Sequence, residues 1–131
     1  MFNALTAAGS GAYAYRKWLD AVSDNISNIN TARPTDQDAF QARYIVARSV
    51  QGADGSGGVV VAGAAHGDAE GRLVYQPDHP LADDEGLVRM PDIDLGDQMT
   101  QLMMAQRGYQ ANLAVVSRAH EAYTTALQIG R

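Results

Sequence analysis

The densest group of chemically capable side chains in this 131-residue sequence is Asp78-His79-Pro80-Leu81-Ala82-Asp83-Asp84-Glu85. Its four carboxylates and one imidazole are residue types that hold a hard divalent cation or act as general acid and base. The spacing supports neither use. It does not follow the order of an EF-hand loop, and no second histidine stands four residues away on a helix, as a zinc site of that kind requires. Pro77 and Pro80 stiffen the segment, which reads as an exposed acidic turn between strands.

The remaining reactive types are scattered. His66 follows a strand and His120 falls on a helix seam, where a single histidine packs or hydrogen-bonds more often than it ligates. None of the six serines sits in a Gly-x-Ser-x-Gly elbow. Gly52 to Gly58 lacks the lysine and the following helix of a phosphate-binding loop. Met99, Met103 and Met104 form a soft patch suited to adaptable packing. With no cysteine there is no disulfide, thiolate metal site or cysteine nucleophile. The expectation is a protein that is not an enzyme, with no catalytic, cofactor or metal site.

A chain of this length allows one domain, or one small domain with extensions, and its 46% hydrophobic content is ordinary for a folded protein. The longest apolar run, Val59 to Ala65, is far below the roughly 18 residues that cross a bilayer. The N-terminus shows no charged segment followed by an apolar core, so no cleaved secretory signal is expected. The net charge is −5, and residues 34–92 account for it with ten acids against four arginines. No basic face is visible, which argues against nucleic acid and against anionic membranes as partners. Protein partners remain.

Both ends of the chain carry a helical heptad pattern. Leu5, Ala8, Ala12, Tyr15, Leu19, Val22, Ile26 and Ile29 recur at alternating spacings of three and four, the seam of a helix packed on another helix. Asn3 is the expected N-cap, and Ala32-Arg33-Pro34 the expected stop. Leu95, Met99, Leu102, Gln106, Tyr109, Leu113, Val116, His120, Tyr123 and Leu127 repeat the pattern, with Asp94 as N-cap and Asp97 adding negative charge near the helix start. Gln106 and His120 are polar interruptions of the kind that fix register. Phe2, Trp18 and Met103 widen the apolar surface beyond what one partner helix covers. The simplest arrangement is an antiparallel coiled-coil hairpin whose remaining faces pack on neighbours.

Between the helices the period shortens to two. Phe40–Val50, Val59–Ala65, Arg72–Tyr75 and Leu87–Met90 read as four strands, with the Asp54-Gly55 turn joining the first two. The expected class is α+β, mainly α, divided as helix 1–33, a small β-rich region 34–92 and helix 93–131. Ser23 to Thr31 is rich in Asn and Ser, which form helices weakly because their side chains compete for backbone hydrogen bonds. Asn25, Asn28, Asn30 and Thr31 are read as a polar face for adjacent subunits.

Three stretches resemble the flagellar basal-body rod protein family, and its proximal-rod branch in particular. They are Asp24-Asn25-Ile26-Ser27-Asn28-Ile29-Asn30-Thr31; Tyr75 to Asp83 with Gly86-Leu87-Val88 and Met90-Pro91-Asp92-Ile93; and Ala105-Gln106-Arg107-Gly108-Tyr109-Gln110-Ala111-Asn112 with the ending Ala126-Leu127-Gln128-Ile129-Gly130. The first and third are shared by rod, hook and hook-associated proteins, whereas the second is narrower. Gln76 and Asp92 depart from the family's usual Asp and Asn. The resemblance implies a structural subunit exported through the flagellar type III apparatus without a cleaved signal. It would polymerise in the periplasm with proximal and distal rod proteins and with copies of itself, Asn112 joining the polar contacts, and would transmit torque around the export channel. The alternative is a soluble coiled-coil adaptor.

Overall fold

The computed structural model describes residues 2–53 and 55–130. Helix α1 spans Phe2–Ser27, strands β1 and β2 span Arg43–Gln51 and Gly57–His66, β3 and β4 span Arg72–Tyr75 and Leu87–Met90, and helix α2 spans Leu95–Ile129. The class is α+β, with two helices flanking two separate two-stranded sheets, β1-β2 and β3-β4.

The ends of the helices differ in how they are made. Asp94 caps α2 as expected: its Oδ1 accepts the Asp97 N–H at 2.7 Å. This satisfies one of the donors a helix start leaves free. Asn3 does not cap α1, because the helix already includes Phe2. Nor does α1 reach Pro34. It ends at Ser27, where the bonds tighten: Ile29 N donates to Ile26 O at 3.3 Å and Thr31 N to Asn28 O at 3.0 Å. The Asn28 side chain adds a bond from its Nδ2 to Asp24 O at 2.9 Å, and Thr31 Oγ1 donates to Asn28 Oδ1 at 3.1 Å. Local side-chain bonds thus end the helix several residues before proline could, and Ile29 lies beyond it.

Strands β3 and β4 occupy the predicted residues and pair antiparallel, Arg72 opposite Met90 and Tyr75 opposite Leu87. Arg33 forms an isolated antiparallel bridge to Arg89 of β4, each backbone N–H donating to the other's carbonyl at 2.8 Å. The β1-β2 hairpin closes through Gly52 N to Ser56 O at 2.7 Å and Gly67 N to Ala42 O at 2.7 Å. β1 begins at Arg43 rather than Phe40, since Ala39 and Ala42 are already buried before it. Of the predicted Asp54-Gly55 turn, Asp54 lies outside the described residues, and Gly55 has φ +77°.

The chain packs as two units. One holds α1 through Leu19, Ile45–Gly63 and the chain from Met103 onward; the other holds Asp20–Tyr44 and Ala64–Leu102. Buried apolar residues are mostly small, namely Ala8, Ala12 and Ala105 in the first unit and Ala21, Val22, Ala39, Ala42, Val88 and Met90 in the second. Gly71 in the second unit shows how close the packing is. Its φ is +58°, and a Cβ there would overlap Met90 O and lie 2.6 Å from Ala39 Cβ.

Candidate functional site

The helix faces carry the candidate surfaces, and the two helices cover theirs differently. On α1 the predicted stripe is covered. Ala8, Ala12 and Val22 are buried, and Leu5, Tyr15, Leu19 and Ile26 are partly buried. On α2 the buried or partly buried residues are Gln98, Leu102, Ala105, Tyr109, Asn112, Val116 and Ala119, joined by Gln101 and Gly108. Leu102, Tyr109 and Val116 belong to the predicted seam. The other rail is displaced by one residue, from 99, 106, 113 and 120 to 98, 105, 112 and 119. Leu95, Met99, Gln106, Leu113, His120, Tyr123 and Leu127 are exposed in the single chain. Gln106 and His120 therefore do not interrupt a covered stripe.

The displaced rail is the one with small and amide side chains, and close approach explains the choice. In the first unit, a Cβ on Gly11 would lie 2.6 Å from Asn112 Oδ1, and one on Gly108 would lie 2.7 Å from Cδ1 of Tyr15. The Phe2 and Tyr123 rings meet edge to face at 6.3 Å, and Tyr15 stacks on Trp18 at 6.0 Å. Ser10 Oγ accepts the Val59 N–H at 3.0 Å, which pins β2 to α1. An apolar cleft of about 390 Å³ lies between Tyr15, Trp18, Ile45 and Val59. Sequence reasoning passed over Gln98, Ala105 and Gly108 because a heptad template rewards large apolar residues. The recurrence of small or amide types at 98, 105, 112 and 119 was the available signal.

In the second unit, Asn25 is wholly buried. Its Nδ2 donates to Arg43 O and to Gln98 Oε1, both at 3.0 Å, and its Oδ1 accepts the Arg43 N–H at 2.8 Å. The side-chain amide thus pairs with both backbone groups of Arg43, as a neighbouring strand would. Asn25 is consequently not available to an adjacent subunit, which corrects its placement among the polar subunit contacts. Asn28 and Thr31 are partly buried in the turn after α1, and Asn30 is exposed. Asn112 is partly buried, donating to Gly108 O at 2.8 Å. The Arg43 guanidinium meets Asp24 at 3.0 Å.

The acidic turn is ordered from within. Asp83 Oδ1 accepts the N–H groups of Leu87 at 2.9 Å and Glu85 at 3.0 Å, and Oδ2 accepts the Thr35 hydroxyl at 2.9 Å. These bonds, the one from Leu87 first, hold its carboxyl below the usual aspartate range. His79 Nδ1 accepts the Leu81 N–H at 3.1 Å. Among the described residues, no group of three or more His, Asp or Glu is placed to hold a metal ion. No described helix is long and apolar enough to cross a membrane.

Comparison with known proteins agrees with the sequence resemblance. Residues 85–129 match the family described as flagellar basal body rod FlgEFG protein C-terminal. The chain is 34% identical to the flagellar basal-body rod protein FlgC of Salmonella typhimurium, over all of this chain and 98% of that protein. It is 32% identical to the FlgC of Aquifex aeolicus, over 94% of this chain and 92% of that protein. It is 28% identical to the FlgC of Bacillus subtilis, over 99% of this chain and 98% of that protein.

Proposed function

Because the chain belongs to the FlgC family of flagellar basal-body rod proteins, and is thus a structural rod protein rather than an enzyme, we propose that it builds the proximal rod. In this reading, segments 1–33 and 93–131 pair as an antiparallel coiled-coil hairpin and pack on neighbouring rod subunits, while 34–92 supplies a small β-rich region with an acidic loop. The chain passes unfolded through the flagellar type III export apparatus and polymerises in the periplasm with proximal and distal rod proteins and with copies of itself.

The observation that carries the assembly reading is the outer rail of α2. Met99, Leu113, Tyr123 and Leu127 are each at least 44% exposed in the single chain, which is costly for a free protein and useful in a packed shaft. Pairing of the helices is supported by contacts that step down α2 as they step up α1: Phe2 with Tyr123, Gly11 with Asn112 and Tyr15 with Gly108. A shaft that transmits torque must resist shear, and many buried apolar side chains, each contributing roughly 1.5–3 kcal/mol, would supply that resistance.

Deleting the gene in its source bacterium and imaging the basal bodies tests the reading. Rod, hook and filament should be lost together and return with the intact gene. Intact, rotating flagella in the deletion strain would overturn it.

A further inference from the structure

Apart from the outer rail of α2, each unit carries an exposed patch in which apolar and charged side chains lie together. On α2, Met104, Arg107, Val115 and Arg118 are all exposed and fall at spacings of three, eight and three. At about 100° per residue they share the face turned away from the covered stripe. In the second unit, Leu73 and Tyr75 lie two apart on β3, hence on one side of it, and are 52% and 69% exposed. Leu81 in the adjoining turn is also exposed, and so are the carboxylates of Asp78, Asp84 and Glu85.

Charge separates along the same division. The unit that contains most of α2 holds six of the ten basic residues and two of the fifteen acids, for a net +4; the other unit is net −9. The charges within the α2 patch are the guanidinium groups of Arg107 and Arg118, with Glu121 one turn beyond. The acidic turn presents the carboxylates of Asp78, Asp84 and Glu85, while Arg89, opposite Leu73, directs its guanidinium to Glu70 O and Thr35 O. Two like patches brought together would oppose arginine to arginine or carboxylate to carboxylate, so the favourable pairing joins unlike patches. Such a contact is heterologous, and it leaves one patch of each kind free on every pair to continue a ring or filament.

We propose that the Met104–Arg118 face of α2 in one copy docks on the Leu73–Tyr75 patch and acidic turn of a second copy. This rests on the rod reading and names the surface by which copies meet. Arg107 and Arg118 face Asp84 and Glu85 around a contact between Met104, Val115, Leu73 and Tyr75. The charges set register and orientation, and the apolar centre excludes water.

Sedimentation velocity of the purified full chain tests the contact. The wild type should associate as its concentration rises. Association should weaken by roughly tenfold between about 0.1 M and about 1 M salt, across which the screening length falls from about 10 Å to about 3 Å. The doubly reversed Arg107→Glu/Arg118→Glu chain should be monomeric alone, as should Asp84→Lys/Glu85→Lys. Mixing the two should restore association, because each contact between the two variants then joins opposite charges. All four positions are exposed, so circular dichroism of each variant should match the wild type. Association undiminished in either variant, a mixture that stays monomeric, or a wild type that never associates would each overturn the docking. Rod membership would be untouched by those results, since it is read from flagella in the complemented deletion strain.

Discussion

Asn25 on α1 and Gln98 on α2, separated by 73 residues, share a buried hydrogen bond of 3.0 Å from Nδ2 to Oε1. Both side chains are at least 99% buried, and the same Asn25 amide holds both backbone groups of Arg43. An unpaired polar group in such a place costs about 1–3 kcal/mol, whereas a satisfied one is nearly neutral. The arrangement therefore ties the end of α1 to the start of β1 and of α2 in one geometry.

Asn25→Ala removes three bonds and leaves both Arg43 backbone groups and Gln98 without a partner. We expect a loss of about 3 kcal/mol or more by urea denaturation. Gln98→Leu orphans only one Asn25 N–H and should cost about 1–2 kcal/mol. Equal costs, or the reverse order, would mean that the amide pair is not what organises this site.

Gly71→Ala and Gly9→Ala should move stability in opposite directions. At Gly71 the positive φ and the overlap with Met90 O and Ala39 leave no room for a methyl group, so a loss of about 2–4 kcal/mol is expected. Around a Cβ on Gly9, in α1, nothing lies within 4 Å. The substitution there should stabilise by about 0.5–1 kcal/mol through helix propensity. Thermal melts of the two variants give the comparison directly.

Leu113→Asp and Ile26→Asp should both block rod assembly, for different reasons. Leu113 is 44% exposed, so its variant should fold with stability within about 0.5 kcal/mol of the wild type and yet fail to restore flagella. Ile26 is partly buried, and its variant should also lose about 1–3 kcal/mol. Normal rods built from Leu113→Asp would remove the outer rail of α2 from the assembly surface.

Asp83 should make the acidic turn sensitive to acid. Its carboxyl titrates below the usual range when folded, so its contribution is fully present above the unfolded value of about 3.9. It is lost as the pH falls through the lower folded value. Hydrogen exchange at the Leu87 and Glu85 amides should therefore quicken in acid relative to neighbouring amides. Asp83→Asn should weaken protection of those two amides at neutral pH. Unchanged protection in the variant would show that the turn is held by its backbone alone.

Much of this protein was legible from residue order. Periodicity identified two terminal helices, Asp94 announced the start of α2, and β3 and β4 fell on the predicted residues because alternation and flanking turns bound such short strands tightly. The absence of any spaced ligand set or nucleophile elbow pointed away from catalysis, and three motif stretches pointed to the rod family. These are local properties, fixed by propensity, capping and spacing.

Which face of α2 the chain covers was not local. A heptad pattern offers two neighbouring rails, 98-105-112-119 and 99-106-113-120, and only the partner surface chooses between them. Gly11, Gly108 and Tyr15 bring backbone and ring close enough that small side chains must fill the contact, and the larger apolar residues turn outward. Asn25 escaped for the same reason: an asparagine near a helix end reads as exposed until the tertiary structure supplies Arg43 and Gln98 to satisfy it. The sequence by itself determined the elements and the family. The tertiary structure decided which polar groups are buried and which apolar ones are left for a neighbour, because burial is a property of pairs of surfaces and not of a single one.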